Sequence, residues 1–174
     1  SKRFKSSKHK QFISYRNRPL YEHSIIKAIE SKLFKKIILV TNNRKADVKK
    51  FKNMVKVIKG GKERSDSSFL GVKYAKKLGA KNVFIHDAAR PNFSLKLLHK
   101  LNKGLKKNKC VVPYLTSNNS LKLKNKKKII NLDRTKVYET QTPQCFDYNL
   151  LFKISKLNKK KVTDESTLFL DAGI

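Results

Sequence analysis

Acidic side chains are scarce in this sequence. Twelve Asp and Glu stand against 43 Lys and Arg, a formal net charge of +31. Such an excess is the electrostatic footprint of many nucleic-acid binders. Here, however, the lysines are spread along the whole chain, at helix surfaces and turns, instead of clustering in one arm or stripe. The interleaving of arginine and aromatic residues that bidentate phosphate contacts and base stacking favour is sparse. No nucleic-acid partner is therefore expected, and the charge points to attraction of small anionic substrates. Cysteine is nearly missing. Cys110 and Cys145 lie far apart and make neither a disulfide framework nor a zinc spacing. His23, His86 and His99 lack a second histidine or carboxylate at zinc-ligand spacing, so no residue is assigned to a metal. Long apolar runs are missing too. Nothing approaches the roughly 18 residues of a membrane helix, and Ser1-Lys2-Arg3-Phe4 has no apolar signal core. No membrane association is expected, and a reducing cytoplasm is the expected compartment.

What the sequence does hold is a series of short apolar blocks. Its apolar content of 39% is low, but the blocks are periodic, and 174 residues suffice for one domain with its own core. Residues 1–18 read as a loop, with Arg3, Lys8, Lys10, Arg16 and Arg18 crowded around Gln11-Phe12-Ile13. Pro19 suits the first turn of a helix whose one face carries Leu20, Ile25, Ile26, Ile29 and Leu33. Ile37-Ile38-Leu39-Val40 reads as a buried strand, residues 44–51 as a lysine-rich helix, and Val55-Lys56-Val57-Ile58 as a second strand. Gly60-Gly61 breaks the chain. Ser65 or Asp66 can cap the next helix, which carries Phe69, Val72, Ala75 and Leu78 and ends at Gly79. Val83-Phe84-Ile85 has the composition of a strand covered on both faces. Ser94 begins a helix with Leu97, Leu98, Leu101 and Leu105 inside, and Cys110–Tyr114 is the following strand.

Strands alternating with helices imply crossover units and a mainly parallel sheet, an α/β fold. Residues 116–141 break the alternation. Leu121-Lys122-Leu123-Lys124 alternates, Asn125-Lys126 offers a turn and Lys128–Leu132 returns, which is a hairpin whose apolar face is too narrow to stand alone in water. A two-stranded arm lying on a partner subunit would resolve this. Asp147 then caps a helix carrying Leu150, Leu151, Ile154 and Leu157, and Thr163 or Asp164 starts a last short one ending near Gly173. The whole of 1–174 reads as one domain with a protruding arm at 116–141. Because the chain opens inside a loop and stops where another strand is expected, both ends read as cut.

Four segments carry chemistry. Arg3 and Lys10 are fixed cations suited to charge on a phosphate in flight. Gly60-Gly61-Lys62-Glu63-Arg64-Ser65-Asp66-Ser67 places a small-residue turn before a helix start, either a simple turn with its cap or a loop that a planar base or phosphate approaches closely. His86, Asp87 and Arg90 emerge at the carboxyl end of the Val83–Ile85 strand, the edge where open α/β sheets bind ligands; a local Asp–Arg pair is the plain alternative. Arg134 can grip a phosphate bidentately or pair with Asp133 or Glu139.

Taken together, Lys10-Gln11-Phe12, Gly60-Gly61-x-Glu63-Arg64-x-x-Ser67, His86-Asp87-Ala88-Ala89-Arg90-Pro91, Asp133-Arg134, Gln141-Thr142-Pro143-Gln144-x-Phe146 and Thr163-Asp164-Glu165 resemble the 2-C-methyl-D-erythritol 4-phosphate cytidylyltransferases, in order and over the whole chain. The resemblance implies a Rossmann-like nucleotidyltransferase fold with a hairpin dimerisation arm. It also implies transfer of a cytidylyl group from CTP to the sugar phosphate, with release of pyrophosphate. By the same matching, Arg3 and Lys10 stabilise the transition state, and Ser1, Lys2, Gly60, Gly61, Ser67 and Asp87 hold CTP. Asp87, Ala88, Arg90, Ser120, Arg134, Thr142 and Thr163 fall where methylerythritol phosphate binds. Mg2+ is expected mainly on the CTP phosphates. The arm is expected to cross a homodimer.

The chain departs from the family pattern in places. Ser1 stands where a glycine is usual, His9 replaces a proline, and Asn119-Ser120 replaces an Asp-Thr pair. A ribitol-5-phosphate cytidylyltransferase shares the Lys-Gln-Phe and Gln-Thr-Pro-Gln elements and is the nearest rival reading; a basic nucleic-acid-binding module is a more distant one.

Overall fold

The N-terminal basic segment is not all loop. In the computed structural model, which describes residues 10–43, 46–126, 128–158 and 162–174, Lys10–Phe12 forms a 3-10 turn. A small antiparallel hairpin, β1 (Ser14–Tyr15) and β2 (Arg18–Pro19), follows it. Its two turn residues, Arg16 and Asn17, both take positive φ, as two-residue hairpin turns require. Pro19 stands at the N-cap of α1 (Leu20–Glu30), one position before the first turn that its fixed φ suggested.

Strands β3 (Ile37–Val40) and β4 (Val55–Ile58) pair in parallel, Ile37 opposite Val55. The lysine-rich helix expected over residues 44–51 is not formed among the described residues 46–51; Arg44 and Lys45 lie outside the described residues. Residues 46–48 are irregular and only a 3-10 turn, Lys49–Phe51, follows. Ala46, Val48 and Phe51 of this segment pack against the Tyr21 cluster without a helix, and packing rather than propensity stabilises short helices. Instead Asp47 is pinned to α1 through its backbone, which accepts from the Tyr21 hydroxyl at 3.0 Å and donates to it at 3.2 Å.

Helix α2 (Arg64–Lys77) is capped by Glu63, not by Ser65 or Asp66; Asp66 supplies the return half of a capping box, accepting from the Glu63 amide at 3.1 Å. Gly79, at φ +65°, ends it. After β5 (Asn82–Ile85) comes α3 (Leu95–Leu105), whose cap Ser94 accepts from the Leu97 amide at 3.1 Å as its sequence implies. The strand expected over Cys110–Tyr114 divides at Pro113, which cannot donate to a ladder, into β6 (Cys110–Val111) and β7 (Tyr114–Thr116). The hairpin is present as β8 (Leu121–Asn125) and β9 (Lys128–Leu132). Beneath it β10 (Tyr138–Thr140) pairs with β7, so the arm has two tiers. Strand β11 (Gln144–Asp147) leads into α4 (Tyr148–Leu157), where Asp147 accepts from the Leu150 amide, and α5 (Ser166–Asp171) closes the described chain.

Strand β11 was not foreseen. It runs antiparallel between β5 and β6, which therefore run parallel to each other, while β3 and β4 form their own parallel pair. Helices cover both faces. Leu101 and Leu105 of α3 pack on Cys145, Phe84 and Val111, whereas Val72, Ala75, Leu151, Leu168 and Phe169 of α2, α4 and α5 pack on Phe146, Val83, Ile85 and Ile38. A third cluster, Tyr21, Ile25, Leu39 and Val55, joins α1 to β3 and β4. Alternate residues of one strand thus serve opposite faces, as the pleat dictates. Burial pushes the Cys110 thiol up to about 11 and the Cys145 thiol higher still, so both are free, protonated packing residues. Among the described residues no helix is long and apolar enough to cross a membrane.

Candidate active site

Chemistry gathers where β3, β4 and β5 end, at the carboxyl edge of the strands. After β4, Gly60 and Gly61 make a tight turn held by three hydrogen bonds. The Gly60 amide donates to Thr41 O at 3.4 Å, Asn42 Nδ2 donates to Gly61 O at 2.9 Å, and the Gly61 amide donates to Ser67 Oγ at 3.1 Å. A Cβ on Gly61 would collide with Asp66 Cβ, so the turn needs glycine for close approach rather than for φ. Ser67 receives a bond here and keeps its own hydroxyl proton to donate.

After β5 the chain turns at Asp87, with the Arg90 amide donating to Asp87 O at 2.9 Å. Asp87 is held from two sides: Oδ2 meets Arg90 Nε and Oδ1 meets Arg64 Nε, each at 3.2 Å. The local Asp–Arg pair is therefore real, but it is half of a larger network. Arg64 also grips Glu165 with both terminal nitrogens, at 2.8 and 3.0 Å, and Glu165 is only 4% exposed. Burial alone would lower the pKa of Arg64; the hydrogen bonds and charge of Glu165, then the charge of Asp87, raise it above its ordinary value. From α1, Lys27 Nζ donates to Pro91 O and Phe93 O, both at 2.7 Å, and clamps the far end of the loop.

His86 lies under this loop between two hydroxyls. Its Nδ1 is 3.0 Å from Thr142 Oγ1 and its Nε2 is 3.3 Å from Ser24 Oγ. Thr142 Oγ1 also accepts from the Asp87 amide at 3.4 Å, and the Thr142–Pro143 bond is cis. Burial, only partly opposed by Asp87, lowers the His86 pKa to about 4, so the ring is neutral at physiological pH.

Not every expected residue joins this junction. Ser1, Lys2 and Arg3 lie outside the described residues. Lys10 begins the N-terminal 3-10 turn and is exposed; Phe12 of that turn and Ala88 of the Asp87 loop pack against the same Tyr21 cluster, so turn and loop share one support. Thr163 is exposed. Its neighbour Asp164 accepts from the Ser166 amide at 3.0 Å, bonds the Ser166 hydroxyl, and receives Thr140 Oγ1 at 3.5 Å. Burial would raise the Asp164 pKa, but hydrogen bonds from Ser166 and Gln144 bring it below its usual value. Ser120 and Arg134 are exposed on the arm, and among the described residues no hydrogen bond or ion pair ties them to the Asp87 loop. Arg134 pairs with neither Asp133 nor Glu139; its Nη1 donates to Asn118 O at 2.7 Å. A groove of about 550 Å3 between α1 and residues 49–54 shares no lining residue with the network.

Sequence reasoning missed Arg64, Glu165 and Lys27 as members of the site. Both Arg64 and Glu165 stood inside motifs given above, but their separation of 101 positions hid the pairing.

The whole chain, residues 1–174, matches the family profile of 2-C-methyl-D-erythritol 4-phosphate cytidylyltransferase, IspD. The chain belongs to this family. A curated cytidylyltransferase of this name from Clostridium botulinum strain Loch Maree is 32% identical over 99% of the chain and 80% of its own length. The "Bifunctional enzyme IspD/IspF" of Pelagibacter ubique is 43% identical over 99% of the chain, which spans only 47% of that relative. Among solved structures, the bifunctional IspDF of Campylobacter jejuni superposes with a TM-score of 0.85 at 30% identity, covering 99% of this chain and 44% of that one. The mixed α/β architecture described above is thus the nucleotidyltransferase fold of the cytidylyltransferases.

Proposed function

We propose that the complete protein transfers the cytidylyl group of CTP to 2-C-methyl-D-erythritol 4-phosphate, giving 4-diphosphocytidyl-2-C-methyl-D-erythritol and pyrophosphate. The observation that carries this reading is the junction of the Gly60–Ser67 turn and the Asp87 loop on one guanidinium, Arg64, in a chain that matches the family from end to end. A sugar-phosphate oxygen forms a bond to the α-phosphorus as the bond to the β-phosphate breaks. Such transfers need in-line positioning and charge neutralisation more than covalent help.

Arg3 and Lys10 carry that neutralisation. Gly60, Gly61 and Ser67 receive the cytosine, and Ser1 and Lys2 the triphosphate. The loop of Asp87, Ala88 and Arg90 lies between nucleotide and sugar, with Thr142 and Thr163 completing the sugar-phosphate side. Ser120 and Arg134 act from the arm. Because the arm shows Leu123, Ile130 and Tyr138 to solvent at 47%, 44% and 56%, a second copy of the chain covers it and receives Arg134 in return. Residues 1–174 then form one catalytic domain of a homodimer, with 116–141 as the shared arm, working on cytoplasmic substrates.

Magnesium fits only as a companion of the nucleotide. Asp87 and Glu165, the carboxylates at the junction, are committed to guanidinium groups, and among the described residues no cluster of three His, Cys, Asp or Glu exists to hold a metal. Carried on the triphosphate oxygens, the ion would supply further neutralisation of charge. Incubating the complete protein with CTP, magnesium and either methylerythritol phosphate or ribitol phosphate, and following pyrophosphate, tests the reading. Release is expected with the former. Release with ribitol phosphate alone would install the rival, and none with either would end the proposal.

A further inference from the structure

We propose that Arg64 and Glu165 are positioning residues that set the orientation of the Asp87 carboxylate, so that the start of α5 governs the geometry of the central loop. The inference rests on the reaction proposed above. Arg64 spends three of its five donors on two carboxylates, with Nε on Asp87 Oδ1 and the terminal nitrogens on Glu165 Oε1 and Oε2. A guanidinium fork held at two points by a carboxylate has little rotational freedom left, and the direction of its Nε is fixed with it. Asp87 is thereby gripped on Oδ1 by an arginine that cannot turn, and on Oδ2 by Arg90, which is 55% exposed. The two grips differ in kind. Arg90 can leave to meet an anion, whereas Arg64 cannot.

Stability alone is a poor reason for such an arrangement. Placing a carboxylate at 4% exposure incurs a desolvation penalty that its partner at best offsets, and apolar residues of similar volume do as well or better. What a buried fork does provide is a fixed angle. The angle is delivered where three segments meet: Arg64 opens α2 directly after the Gly60-Gly61 turn, Asp87 follows β5, and Glu165 precedes α5. A shift of Glu165 therefore reaches the nucleotide turn and the central loop together, through one side chain.

The test is a double-mutant cycle in the complete protein with Glu165→Gln, Asp87→Asn and the pair, read in kcat/KM for pyrophosphate release and in CTP affinity by titration calorimetry. Misplacement of a reacting group by about 1 Å can lower rates about a hundredfold, so Glu165→Gln is expected to lower kcat/KM by about ten- to a hundredfold. Acting through Asp87, it should add nothing, within about twofold, once Asp87 is Asn. Losses that multiply, or a Glu165→Gln enzyme with wild-type turnover, would overturn the inference. Should Glu165→Gln fail to fold, Arg64→Lys keeps the charge and loses the fork; it is expected to show the same loss with its melting temperature little changed, and wild-type turnover would again overturn the idea. If wild-type protein releases no pyrophosphate, the reaction reading fails by itself and the cycle is decided in CTP affinity.

Discussion

His86 should make this protein lose stability in mild acid. The ring is enclosed by Ser24, Thr142 and Phe93, its centroid 4.6 Å from that of Phe93, and its pKa falls from 6.5 to about 4 because burial penalises the imidazolium. Asp87 opposes the shift and the charges of Arg90 and Lys27 assist it. The folded pKa is depressed, so the unfolded chain takes up the proton first. The stabilising contribution is then complete above about pH 6.5 and is lost as pH falls towards 4. Each pKa unit is worth about 1.4 kcal/mol, which gives a loss of about 2 kcal/mol near pH 5 and about 3 kcal/mol near pH 4. Urea unfolding at several pH values between 8 and about 4.5, compared with His86→Asn, isolates this contribution, because Asn keeps a polar atom towards Thr142 but cannot titrate. The wild-type curve should fall away from that of the variant below about pH 6.5. Parallel curves would refute the argument, whatever the absolute stability of His86→Asn.

Other substitutions probe separate parts. Gly61→Ala drives a methyl group into Asp66 and should displace the capping box, at a cost of about 1 kcal/mol in stability and with clear weakening of CTP binding by calorimetry; unchanged CTP affinity would remove the turn from the nucleotide site. Leu151→Ala empties a fully buried position between α4 and the strands and should cost about 2–5 kcal/mol in denaturant unfolding. Arg134→Ala should raise KM for the sugar phosphate by about ten- to a hundredfold, the worth of a charge-assisted bond, with CTP affinity retained; loss of CTP binding would contradict the division of the site. Leu123→Asp, on the same arm face as Ile130, should shift sedimentation from dimer to monomer, and a protein that sediments identically would place the subunit contact elsewhere.

Local pattern carried most of the elements. The Ile37–Val40 and Val55–Ile58 runs, the Leu97-Leu98-Leu101-Leu105 stripe and the caps Ser94 and Asp147 are statements about neighbours in the chain, and the fold honours them. Where the reading failed, the deciding contact was distant. Residues 44–51 had helical composition, but Tyr21 takes hold of Asp47 from 26 residues away. Gln144–Asp147 was assigned no element by its local pattern; only the presence of β5 and β6 on either side makes it a strand. The site divides in the same way. Asp87, Arg90 and the two glycines were legible because strand ends and turns have local signatures, whereas the Arg64–Glu165 fork and the Lys27 clamp have none.

The place of β11 has a consequence for the chain as it is made. Ile85 waits for Gln144, about 60 residues later, and Val111 waits for Cys145. At about 5–20 residues per second, β5 emerges some 3–12 seconds before its hydrogen-bonding partner. During that interval Val83-Phe84-Ile85 is an open edge, the kind of segment through which nascent chains adhere to one another. The lysines that carry the net charge of +31 stand close by, with Lys76, Lys77 and Lys81 just upstream and Lys96 and Lys100 downstream. A half-made chain of such uniform sign repels its neighbours on the same ribosome cluster, so the net charge guards a strand that is unpaired while the chain is unfinished.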